Sequence, residues 1–157
     1  MELSEKVADF TLQTDENKTV SLSNYAGKPV VLFFYPRADT PGCTIEACGF
    51  RDQFEKLQKA GAVVLGISRD TPNDQAKFKA KFNLPYTLLA DVDEKVCNQF
   101  GVLKEKTLYG RKVWGIERTT FVIGPDQTLI HIFPKVAPEG HAEQVLALIK
   151  EWNKTHK

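Results

Sequence analysis

The chain has 157 residues, 42% hydrophobic and 26% charged, enough for one self-sufficient core, so a single domain over 1–157 is expected. Its 21 basic and 20 acidic side chains leave a formal net charge of +1, which gives no electrostatic footing for nucleic acid or an anionic membrane surface. No run approaches the roughly 18 apolar residues of a membrane span, and the opening MELSEKVAD is too charged for a secretory leader. The expected address is the cytoplasm, where thiols stay reduced, so three cysteines point to burial, catalysis or metal binding rather than to disulfide staples.

No repeat, linker or low-complexity stretch interrupts the chain. Residues 10–12 and 20–22 flank the polar TDENK and read as a β-hairpin. The unbroken apolar run 30–35 (VVLFFY) predicts a central strand covered on both faces, and 62–68 (AVVLGIS) predicts a second. Between them Ala47, Phe50, Phe54 and Leu57 recur at helical spacing, giving a βαβ unit. Thr71 and Pro72 open a second helix, as N-cap and first helical residue, that runs to about Phe82. Residues 86–90 predict a third strand, and 93–100 a short helix stopped at Gly101. Residues 103–116 (LKEKTLYGRKVWGI) fit either a loop or an irregular hairpin. Residues 119–123 and 128–133 are strands joined by the turn sequence GPDQ, and Ala142, Val145, Ile149 and Trp152 mark a terminal amphipathic helix. The sum is an α/β fold, a mixed sheet with helices on both faces.

The segment carrying chemistry is 35–50, YPRADTPGCTIEACGF, which leaves the first buried strand and enters the first helix. Open α/β sheets place ligands beyond the carboxyl ends of their strands, which is this position. Cys43 falls in the first helical turn, where unpartnered amides favour a thiolate over a thiol. Thr40 is placed either to cap the helix or to hold a substrate oxygen. Five helical residues separate Cys43 from Cys48, a rise of ~7.5 Å and a Cα separation of roughly 8–9 Å. A disulfide needs less than about 7 Å, so the two sulfurs can join only if the start of the helix unwinds. Opening one terminal turn costs far less than global unfolding.

Pro36, Thr40 and Cys43 reproduce the peroxiredoxin spacing of Pro, three residues, Thr, two residues, Cys. With Cys48, VVLGISRDTP, LLADVDEKVCNQFGV and GIERTTFVIG, the chain resembles the bacterioferritin comigratory protein (Q-type) branch of that family over nearly its whole length. The resemblance implies a thioredoxin-like fold with an added N-terminal β-hairpin, and reduction of hydrogen peroxide and organic hydroperoxides without metal, haem or flavin cofactor. It implies that Cys43 is the peroxidatic cysteine and Cys48 the resolving one, that Pro36 shields the sulfur, that Thr40 bonds the peroxide, and that Arg118 favours the thiolate and orients the substrate. It implies thioredoxin, or in some relatives a glutaredoxin, as reductant. The end of the chain, EWNKTHK, holds no further cysteine for resolution between subunits, so a monomer is expected.

Other residues read more plainly. Taken alone, Cys48 would be a core residue of its helix and Arg118 a solvated or salt-bridged strand residue. Cys97 reads as packing, with a resolving role the lesser alternative. Lys77, Lys79 and Lys81 read as a solvated helix face; Asp39 and Glu46 read as surface charge or helix-start complementarity, with tuning of the site the lesser alternative; and Tyr109 and Trp114 read as loop or core packing rather than a pocket edge. His131, His141 and His156 make no zinc spacing with the cysteines. Two other functions share parts of this pattern. A protein thiol–disulfide oxidoreductase would suit the fold, but its cysteines usually enclose two residues rather than four. A redox-sensing module would use the same first chemical step and expose Phe50 or its neighbours on unwinding.

Overall fold

The computed structural model describes residues 1–156. Seven strands form one sheet in the order β2-β1-β5-β4-β3-β8-β9. These are β1 (Thr11–Thr14), β2 (Thr19–Ser21), β3 (Val30–Phe34), β4 (Val63–Ser68), β5 (Thr87–Ala90), β8 (Thr119–Ile123) and β9 (Leu129–Phe133). The centre, β3-β4-β5, is parallel, and β1, β8 and β9 join antiparallel. Among the described residues, four α-helices accompany the sheet: α1 (Pro41–Lys59), α2 (Pro72–Phe82), α3 (Lys95–Gln99) and α4 (His141–Thr155).

Strand β3 shows why a continuous apolar run belongs at the centre. Side chains alternate across a strand, so Val31, Phe33 and Tyr35 enter one core while Val30, Leu32 and Phe34 enter the other. The first core takes Cys43, Ala47, Phe50 and Leu57 from α1 and the apolar stripe Ala142, Val145 and Ile149 from α4. The second takes Val96 and Cys97 from α3 with Phe100, Val102 and Ile116. The sheet therefore stands between Cys43 and Cys97.

Two segments differ from the sequence reading. The first strand runs to Thr14 rather than ending at Leu12, because the Thr14 hydroxyl accepts the Glu16 and Lys18 amides and so supplies the turn chemistry itself. Residues 103–116 form a regular two-stranded hairpin, β6 (Leu103–Leu108) and β7 (Arg111–Ile116), paired in unbroken register and with no other strand. Its two-residue loop places both Tyr109 (φ 52°) and Gly110 (φ 76°) at positive φ, the geometry that lets a tight turn follow the strand twist. Tyr109 and Trp114 are exposed on this hairpin, not packed in a core.

Candidate active site

Strand β3 ends at Phe34, and Tyr35 still extends the ladder by donating its N–H to Ile67 O. The chain then crosses the end of the sheet in segment 36–40 and enters α1. Thr40 is the N-cap by backbone geometry, with extended φ and ψ and its carbonyl accepting the Thr44 N–H. Its hydroxyl, however, donates to Arg37 O at 2.8 Å instead of capping the helix. No side chain caps α1, so its first amides keep their partial positive charge. Pro41 and Gly42 occupy the first two helical positions, and Cys43 the third.

Antiparallel pairing of β8 with β3 sets Thr119 opposite Phe34, which delivers Arg118 to the same end of the sheet. Its guanidinium Nη1 lies 3.5 Å from Cys43 Sγ and 2.9 Å from Glu46 Oε1. The backbone of Arg118 is held in turn by the Val136 N–H on its carbonyl. Gly42 makes room for this approach: a Cβ there would stand 3.0 Å from Arg118 Nη2 and 3.5 Å from Pro138 Cγ.

Glu46 is the residue that sequence reasoning undervalued. It is not surface charge; it is 1% exposed and paired with Arg118. Three residues after Cys43, it lies on the same helix face, and that spacing was a readable signal. Burial outweighs the favourable pull of Arg118 and pushes its carboxyl up to about 7. Its second oxygen, Oε2, is buried without a partner. Burial works against the charge of Arg118, but Glu46 and then Cys43 offset it and move the guanidinium further up from its ordinary value.

The structure thus joins Cys43 and Arg118 in one contact, with Thr40 at the adjacent cap and Pro36, half-buried, at the start of the crossing segment. Cys43 is only 1% exposed, so the sulfur lies inside the first core with a cation on it. Cys48 is half-buried on α1, and all three thiols are free. Cys97 is buried on the opposite side of the sheet. Lys79 pairs with the buried Asp15 at 3.1 Å, so one of the three lysines on α2 is a tether rather than a free solvated charge, while Lys77 stays exposed and Lys81 makes only an exposed pair with Asp39 at 2.9 Å. His141 is buried, with Nε2 2.7 Å from the Thr120 hydroxyl, and burial holds it below its ordinary value.

A cysteine at an uncapped helix start, facing a partly buried guanidinium beyond the carboxyl ends of parallel strands, is the layout of a thiol enzyme on a thioredoxin-like scaffold. The model of the AhpC/TSA family matches residues 3–132. Peroxiredoxin Bcp of Bacillus subtilis is 42% identical over 151 residues, covering 96% of each chain. The bacterioferritin comigratory protein of Xanthomonas campestris superimposes with a TM-score of 0.87 at 39% identity, covering 90% of each chain. A cysteine-to-serine mutant of Xylella fastidiosa PrxQ does so with a TM-score of 0.93 at 34% identity, covering 98% of each. The chain belongs to the AhpC/TSA family, in its Bcp or Q-type peroxiredoxin branch, and is a thiol peroxidase with the thioredoxin-like fold.

Proposed function

We propose that Cys43 is the peroxidatic cysteine, that Cys48 resolves it within the same chain, and that a thioredoxin, or a glutaredoxin, restores the dithiol. The observation that carries this reading is the 3.5 Å contact of Arg118 Nη1 with Cys43 Sγ at a helix start that no side chain caps. The Cys43 thiolate attacks the nearer peroxide oxygen. An S–O bond forms, the O–O bond breaks, and the departing oxygen takes a proton to leave as water or an alcohol. Sulfur is left as sulfenic acid. Arg118 and the first amides of α1 stabilise the charge that spreads from sulfur to oxygen, in a site largely closed to water. The Thr40 hydroxyl has its hydrogen committed to Arg37 O, so toward the peroxide it acts as an acceptor of the O–H. Pro36 borders the site and limits water.

The second step follows from helix geometry. At roughly 8–9 Å between their Cα atoms, Cys43 and Cys48 bond only when the first turns of α1 open. Cys48 then attacks the sulfenic sulfur, the disulfide forms and water leaves. Exchange with a dithiol protein closes the cycle. The alkyl peroxide reduction ascribed to the Xanthomonas campestris relative supports organic hydroperoxides, beside hydrogen peroxide, as substrates. With both sulfurs on one helix a monomer suffices.

A steady-state peroxide assay with a purified thioredoxin system and each single cysteine variant tests the reading. Stoichiometric peroxide loss that needs Cys43 and Cys48 is expected. Full turnover without Cys43, or insulin reduction without peroxide consumption, would overturn it.

A further inference from the structure

Segment 36–40 holds Pro36 and Thr40, yet has no regular structure. Among the described residues, and apart from the Thr40 carbonyl that starts α1 by accepting the Thr44 N–H, two polar links tie it to neighbouring elements. One is the ion pair of Asp39 with Lys81, whose side chains are 46% and 59% exposed. Such a pair is screened by solvent and holds little. The other is the Ala38 N–H, which donates to Asp70 Oδ2 at 2.8 Å.

That second link is the outer end of a buried chain of hydrogen bonds. The Ser68 hydroxyl donates to the same Asp70 oxygen at 2.6 Å. Gln75 Nε2 donates to Ser68 Oγ and to Leu89 O, each at 2.9 Å. The Tyr35 hydroxyl donates to Gln75 Oε1. Tyr35, Ser68 and Gln75 are each fully buried, and each of their side-chain polar atoms has a partner. A satisfied buried network is rigid and costly to break. It joins the end of β3, the end of β4, α2 and β5, and it reaches the crossing segment through one carboxylate oxygen.

We propose that Asp70 is a positioning residue for the peroxide step: it pins segment 36–40 at Ala38, so that Thr40 and Pro36 stay over Cys43 while the opening of α1 is confined to residues from 41 onward. The assignment rests on the role given above to Cys43. It predicts opposite effects on the two halves of the cycle. Freeing the segment disorders the groups that meet the peroxide, and it removes a restraint on the helix start that must open for Cys48.

The experiment measures the two steps separately in the reduced full chain. Peroxide attack is followed by competition with a second peroxide-consuming enzyme, and disulfide appearance by acid quenching and mass spectrometry. Asp70→Ala should slow attack by about 10- to 100-fold, the usual result of misplaced reacting groups, with disulfide formation equal to or faster than in the parent chain. Asp70→Asn keeps a carbonyl oxygen able to accept both bonds and should stay within about threefold of the parent. Amide exchange at Ala38 should quicken in Asp70→Ala and not in Asp70→Asn, and this readout holds even if the chemistry belongs to another sulfur. Attack at the parent rate in Asp70→Ala, equal slowing in both variants, or equal slowing of both steps with a lowered melting temperature would each overturn the proposal. Should Asp70→Ala fail to fold, Asp70→Ser, whose hydroxyl is too short to span the gap, must show the same split.

Discussion

Two cysteines of this chain stand at the same formal position, the third residue of a helix, and both are buried. At the start of α1, no side chain covers the amides and a guanidinium touches the sulfur of Cys43. At the start of α3, the carboxylate of Asp91 takes the amides of Val96 and Cys97 at 3.2 and 2.7 Å. Burial, then the hydrogen bond to Asp91 and its negative charge, push the Cys97 thiol far up from its ordinary value. A helix start therefore does not make a cysteine reactive by itself. What matters is whether the amides remain available and which sign of charge completes the pocket.

The strongest way to break this comparison is Cys43→Ser, which should abolish peroxide turnover in a coupled assay, by three orders of magnitude or more on the scale of a lost covalent nucleophile, roughly as in other such enzymes. Cys48→Ser should consume about one equivalent of peroxide and then stop, leaving a sulfenic acid that a dimedone-type reagent traps and mass spectrometry counts. Arg118→Ala should slow peroxide attack by about 10²- to 10³-fold, as when a preorganised charge donor is lost, measured in single turnovers at saturating pH.

Glu46→Gln sharpens the electrostatic half of the comparison. An acid raised from its ordinary 4.5 to about 7 binds its proton more tightly folded than unfolded, so its contribution favours the native state below pH 4.5 and is lost as pH rises to 7. Urea midpoints at pH 5 and pH 8 should therefore fall with rising pH in the parent chain, and fall less in Glu46→Gln. The smallest effect belongs to the second helix start. Cys97→Ala should leave peroxide turnover within about twofold and cost only packing, read as a modest drop in the urea midpoint. A large loss of turnover there would dissolve the contrast, because the sheet separates Cys97 from Cys43.

The strand–helix order and the place of Cys43 were legible because they rest on local signals: apolar runs, helical spacing, and Pro and Gly at a helix entrance. The place of Arg118 beside Cys43 could be expected only through the family resemblance of ERTTF, since nothing local tells such an arginine from a surface one. The hairpin at 103–116 stayed ambiguous because its turn is Tyr109-Gly110 rather than a more typical Asn-Gly, and because residues 104–107 and 111–114 are exposed on both faces, which erases alternation. The burial of Glu46 could be suspected from its spacing to Cys43, but its pairing with Arg118 spans 72 residues. The chain from Tyr35 to Asp70 escaped for the same reason, its members being two strand-end residues, a loop aspartate and a helix glutamine that nothing links until the sheet brings them side by side.

Gly42 sets a mechanical tolerance on the whole arrangement. The guanidinium of Arg118 passes where a methyl group on residue 42 would leave it only 3.0 Å of clearance. The doorway to the helix carries nothing heavier than a hydrogen on this side, and there is little room to thicken it. A side chain added there would push the far end of Arg118 aside by a few tenths of an ångström or more, loosening its 3.5 Å contact with the sulfur.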